Sequence, residues 1–215
     1  MYQKNNLHIE SINHLLSEAM GPMFGPTPVD QIEKISELKF YESKRIKKYL
    51  LLRKSDIVID LGCGPGFVAK HLAGVVDHIH CVDVDKDFIQ LSRHILRDQS
   101  NITYHVIEHG KLDTLPMVTA IYANQVFALF NLYEIYQYLT ECHRALLPNG
   151  RMMFEIINDE HLDVNSEKWQ TNLKLSNRLV YNNKNTVTSI IQQTGFDLIK
   201  VFDDNEHTFF VLIKK

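Results

Sequence analysis

Three glycines within five residues, in Asp60-Leu61-Gly62-Cys63-Gly64-Pro65-Gly66, constrain this chain more than any other feature. The stretch follows a short β-rich run, IVIDL at 57–61. It precedes an apolar helical face made by Phe67, Val68, His71 and Leu72. A strand that turns through a glycine-rich loop straight into a helix is the opening unit of a parallel α/β sheet. Glycines there permit a tight turn and let a ligand approach the backbone with no Cβ in the way. The spacing is G-x-G-x-G. A dinucleotide fingerprint needs a small residue at position 67, where Phe67 stands. Pro65 also removes one amide from the loop, a poor choice for cradling a pyrophosphate.

The chain around this loop alternates strand and helix. HIHCVDV (78–84), ITYHVI (102–107), VTAIYAN (118–124) and RMMFEII (151–157) read as further strands. Helices are predicted on Phe88, Ile89, Ser92, Ile95 and Leu96, and from the capping-box spacing Asn131–Glu134 through Ile135 and Leu139 to a stop at Pro148-Asn149-Gly150. A helix over Thr186–Thr194 leads to FDLIKVF (196–202) and HTFFVLI (207–213), which the short turn between them makes an antiparallel hairpin. Residues 1–54 read as two or three helices, one starting at Thr27-Pro28. Residues 158–183 are polar and irregular. The expectation is one domain over 1–215: a helical cap (1–54), a ligand-binding core (55–157), an insert (158–183), and a closing helix and hairpin (184–215). Its sheet should be mixed and seven-stranded, with helices on both faces.

Composition excludes several other classes. A length of 215 residues suits one core. A formal charge of −3 gives no argument for nucleic acid or a membrane surface. Cys63, Cys81 and Cys142 form no C-x-x-C pair, which argues against a metal site or a disulfide framework. The first residues have no apolar core of a signal peptide, and no apolar run approaches the ~20 residues of a membrane span. A reducing, cytoplasmic setting fits. The eleven histidines are scattered and read as surface and filler positions.

The second motif is Cys81-Val82-Asp83-Val84-Asp85. Asp83 ends the second strand 17 residues after Gly66, where an acidic side chain can accept ribose hydroxyls. Asp85 reads better as a helix N-cap. With both motifs the chain resembles the class I S-adenosylmethionine (SAM)-dependent methyltransferases. VIDLGCGPGFVAKHLA and HCVDVDKDFIQLS resemble that family's first two motifs, and LPMVTAIYANQVFALFNL its fourth-strand segment. HRALLPNGRMMFEI and the C-terminal GFDLIKVFDDNEHTFFVLIKK resemble its fifth strand and closing hairpin. The resemblance covers about residues 50–157 and, less closely, 185–215.

It implies a Rossmann-like fold with an N-terminal helical lid, SAM as cofactor and S-adenosylhomocysteine (SAH) as product. Asp60 would take the cofactor's ammonium, and Gly62, Cys63, Gly64 and Gly66 would face its methionine part. Asp83 and Val84 would hold the ribose side, Lys111 and Leu112 would lie near the adenine, and Asn124 would sit beside the methyl group. Where the family often carries an acid near the adenine, this chain has Lys111, with Glu108 and Asp113 close in sequence. The family's P-G-G turn reads Pro148-Asn149-Gly150 here, a harmless change because Asn tolerates left-handed geometry. The N-P-P-Y motif of many nucleobase and amide methylases is absent after Asn124.

Acceptor contacts are expected from Met23 and Phe24 on the segment GPMFGPTP, from Tyr41, Gln125 and Phe127, and from His161. Phe127 and Phe130 read more readily as core than as a pocket wall, and the Met23–Phe24 tip reads equally as an ordinary loop anchor. Lys39, Lys44, Arg45, Lys47, Lys48, Arg53 and Lys54 form a basic run that reads first as a solvated helix face, and second as a receptor for an anionic acceptor or the cofactor carboxylate. No catalytic dyad is evident, and methyl transfer from a sulfonium mainly needs alignment. The expected acceptor is a small molecule. The rival readings are a non-catalytic SAM-binding scaffold and an NAD-type oxidoreductase.

Overall fold

The computed structural model describes the backbone of residues 29–161 and 179–215, with side chains over 35–160 and 179–215. The segment Met23–Phe24, the side chain of His161 and most of the 158–183 insert lie outside these residues. The first described element is one long helix, α1 (Val29–Leu50), where two were expected near Ile35 and Ile46. Ile35, Ile46 and Leu50 are buried along one stripe. The helix stops where Leu51 turns left-handed (φ 53°) and the Leu52 amide returns to the Lys47 carbonyl.

The sheet follows in the predicted sequence of elements. Strand β1 (Ile57–Leu61) leads to α2 (Phe67–Leu72), β2 (His78–Asp83) to α3 (Lys86–Ile95), and β3 (Ile102–Val106) to β4 (Val118–Ala123) with no intervening helix. Helix α4 (Leu132–Ala145) then runs into β5 (Leu146–Asn158). After β6 (Tyr181–Asn182) come α5 (Lys184–Gln193), β7 (Phe196–Asp204) and β8 (His207–Lys214). The sheet order is β3-β2-β1-β4-β5-β8-β7, with β6 pairing β5 in parallel. Among the described residues there are thus eight strands rather than the expected seven. The extra one is two residues long, too short to leave a periodic signal in a polar stretch. β7 and β8 form the antiparallel hairpin, and β8 inserts beside β5.

Helices α1, α2 and α3 cover one face around Val58, Ile79, Cys81 and Tyr122. Helices α4 and α5 cover the other around Ile59, Ile121, Phe154 and Phe210. Local chemistry sets the ends. Asp85 caps α3 through the Asp87 and Phe88 amides, Asn131 and Glu134 close a reciprocal capping box on α4, and Asn183 caps α5. Asn149 is left-handed (φ 64°), as its place in the turn requires.

Candidate functional site

The parallel strands β1, β2, β4 and β5 all end on one edge, where the sequence motifs meet. The glycine loop leaves β1 with Gly62, Gly64 and Gly66 at φ 68°, 49° and 85°, conformations that side chains rarely adopt. The three positions differ in surroundings. A Cβ on Gly62 would collide with Val126, and one on Gly66 would come within 2.7 Å of Leu96. A Cβ on Gly64 would meet nothing within 4 Å. Gly62 and Gly66 therefore serve packing, while Gly64 faces open space.

Asp83 locks this loop from the next strand. Its Oδ2 accepts the Gly64 amide at 2.9 Å and its Oδ1 accepts the Asp85 amide at 3.0 Å. Asp83 is 8 % exposed, and burial raises its carboxyl above the usual range against the pull of backbone amides. A carboxylate offers about four lone-pair sites, so acceptor capacity remains for a further donor.

Asp60 lies at the end of β1, 2 % exposed. Its Oδ2 and the Tyr122 hydroxyl beside it are both buried and interact with each other. Burial pushes the carboxyl up to about 7; Tyr122 and Lys39 pull it down and Asp83 adds to the rise.

The end of β4 is organised by a residue that sequence reasoning did not single out. Glu155 on β5 is 3 % exposed, and its Oε1 accepts the Asn124 Nδ2 at 3.1 Å and the Gln125 amide. Gln125 is left-handed, φ 63°. Lys39 reaches down from α1, donating to Asn124 Oδ1 at 2.6 Å and to Gln125 Oε1 at 2.7 Å. Burial raises the Glu155 carboxyl to about 7 and lowers the Lys39 ammonium. Glu155 carried no visible signal because it sits in a strand that reads as uniformly apolar. The basic run around Lys39 divides in three dimensions. Lys39 points into the cleft, Arg45 pairs with Glu42 and Asp204, and Lys44 lies over Phe40. With Glu155, Glu42 and Asp60 all acting on Lys39, the local field opposes the anion receptor read from that run.

Several expected contacts fall elsewhere. Phe127 is completely buried, packed on Phe130 and Phe154, so it is core rather than a pocket wall. Tyr41 is 67 % exposed and lies about 200° around the helix from Lys39. Leu112 is fully buried, with its amide on Glu141. Lys111 pairs with Glu108 and borders a groove of about 330 Å³ with Tyr133 and Tyr136 of α4. Val84 is half-exposed beside Asp83. Cys63 is buried against Cys81, which with burial drives its thiol up. Cys63, Cys81 and Cys142 are all free. Among the described residues no three His, Cys, Asp or Glu side chains are grouped to hold a metal ion, and no helix is long and apolar enough to cross a membrane.

Comparison with known proteins agrees with this geometry. Residues 58–150 match the family described as "Methyltransferase domain". A malonyl-[acyl-carrier protein] O-methyltransferase from Erwinia billingiae is 23% identical over 129 residues, 59% of this chain and 49% of that protein. The chain thus spans about half the length of this curated relative. In fold it is similar to a SAM-dependent methyltransferase from Aquifex aeolicus (TM-score 0.66, 17% identity, 88% of this chain and 100% of that one). It is also similar to the N-methyltransferase NodS of Bradyrhizobium japonicum in complex with SAH (TM-score 0.62, 12% identity, 81% and 86%). Residues 58–150 thus match a methyltransferase domain, and the fold around them is shared with solved methyltransferases.

Proposed function

We propose that this protein transfers a methyl group from SAM to a small-molecule acceptor at the edge formed by β1, β2, β4 and β5. The observation that carries the reading is the buried acid Asp60 at the end of β1, beside a glycine loop that opens onto free space at Gly64. SAM fits these groups: it brings an ammonium for Asp60, ribose hydroxyls for the acceptor capacity left on Asp83, and no phosphate for a loop that Pro65 has deprived of an amide. When bound, it supplies an already activated methyl group.

The chain's own residues then have positional tasks. Asp60 orients the ammonium, Asp83 fixes loop and ribose together, and Asn124, held by Glu155, borders the transferred group. Alignment of this kind contributes about 7–11 kcal/mol of barrier lowering without a general base. The absence of G-x-G-x-x-G spacing weighs against an NAD-type oxidoreductase. Three free cysteines support a reducing, cytoplasmic setting.

Calorimetry with SAH tests the cofactor, and a screen for SAH formation over candidate acceptors tests turnover. SAH binding without turnover on any acceptor, including the chain itself, would favour a non-catalytic SAM-binding role. No SAH binding would remove the reading altogether.

A further inference from the structure

Lys39 is held unlike a structural lysine. Arg45, one turn and a half along the same helix, meets Glu42 and Asp204 directly. Lys39 instead gives its hydrogen bonds to two amide oxygens, those of Asn124 and Gln125, while Glu155, Glu42 and Asp60 act on it through space. Amide oxygens orient an amine but are too weakly basic to take its proton.

The acceptors are held at a cost. Gln125 sits at φ 63°, which for a residue with a Cβ costs about 1–2 kcal/mol. Glu155 stabilises that turn through the Gln125 amide and orients Asn124 through its Nδ2. Backbone strain of this kind gathers at functional positions. Lys39 is partly buried where α1 meets the end of β4. Burial also favours the uncharged amine. Such an amine, with two N–H bonds taken by amide oxygens and its chain in the third position, has its lone pair in the remaining tetrahedral direction.

We propose that Lys39 is itself a methyl acceptor, modified by the SAM bound to the same chain. Nζ attacks the methyl carbon, the methyl–sulfur bond breaks, and its electron pair stays on sulfur to give SAH. The new secondary ammonium releases one proton to solvent. The inference rests on the cofactor reading above and adds a substrate atom to it.

The test uses the full chain, purified and incubated with SAM at pH 8. Intact mass spectrometry should show a gain of one methyl group, and fragmentation should place it on Lys39. Lys39→Arg should abolish the gain, and Glu155→Gln should slow it about tenfold or more. A second readout needs no turnover: in protein labelled with ¹⁵N-lysine, the Lys39 Nζ should titrate at lower pH than the exposed lysines. Protein that binds SAH in calorimetry yet gains no methyl group, or gains it only on other lysines, overturns the proposal and leaves the cofactor reading standing. An Nζ titration coincident with the exposed lysines also overturns it. Failure to bind SAH overturns both.

Discussion

Asp83 Oδ2 accepts the Gly64 amide at 2.9 Å, so the acidic end of β2 and the glycine loop of β1 are one mechanical unit. A substitution at either residue therefore disturbs the ligand-binding geometry of both.

Asp83→Ala should weaken SAM and SAH alike, because both carry the ribose. Bonds to a charged group contribute about 1.5–3 kcal/mol each, which corresponds to roughly 10- to 150-fold in affinity. Calorimetry on both ligands reads this. A variant that loses one ligand and keeps the other would place Asp83 at the sulfonium rather than the ribose.

Gly64→Val should abolish cofactor binding while the protein stays folded. The open space beside Gly64 means the new Cβ meets no atom within 4 Å and the side chain projects into the cleft, though φ 49° adds strain. Gly66→Ala should act in the opposite sense. Its Cβ would approach Leu96 and Ser92, so thermal stability should fall first. Unchanged SAH affinity in Gly64→Val would disprove the assignment of this loop.

The Asp60 carboxyl, raised from 3.8 to about 7, sets a pH window. A carboxyl raised on folding contributes stability that is full below about pH 4 and is lost as the pH rises to about 7, here up to about 4 kcal/mol. Glu155, raised to about 7, has the same sign. Cofactor affinity should run the other way, because only the ionised Asp60 attracts an ammonium. Between pH 5 and 8, thermal unfolding should therefore move down while SAH affinity moves up. Asp60→Asn should flatten both curves and be more stable than the native chain at pH 8. Parallel pH profiles in the variant and the native chain would remove Asp60 from both roles.

Phe127→Ala should cost about 3–5 kcal/mol of stability through the cavity left between Phe130 and Phe154. In the protein that remains folded, SAH affinity should be unchanged. Denaturant titration and calorimetry on the same sample separate the two. A selective loss of cofactor affinity would mean that Phe127 reaches the cleft after all.

The sequence by itself determined the order of strands and helices, the glycine loop, the terminal hairpin and two of the helix caps, Asp85 and Asn131. These rest on local chemistry: β-branched runs, glycine at positive φ, and Asp or Asn side chains that meet amides two and three residues on. Asp60 and Asp83 were legible for the same reason, since each ends a strand beside a motif. The tertiary structure alone decided which polar residues meet across the fold. Lys39 and Asn124 lie 85 residues apart and join only because α1 crosses the ends of β4 and β5. Glu155 was hidden within a strand that reads as apolar. Phe127 and Leu112, next to motif positions in sequence, turn inward because their large apolar side chains are stabilised by burial in the core. Proximity in sequence marked the neighbourhood of the site, and burial against the sheet selected its members.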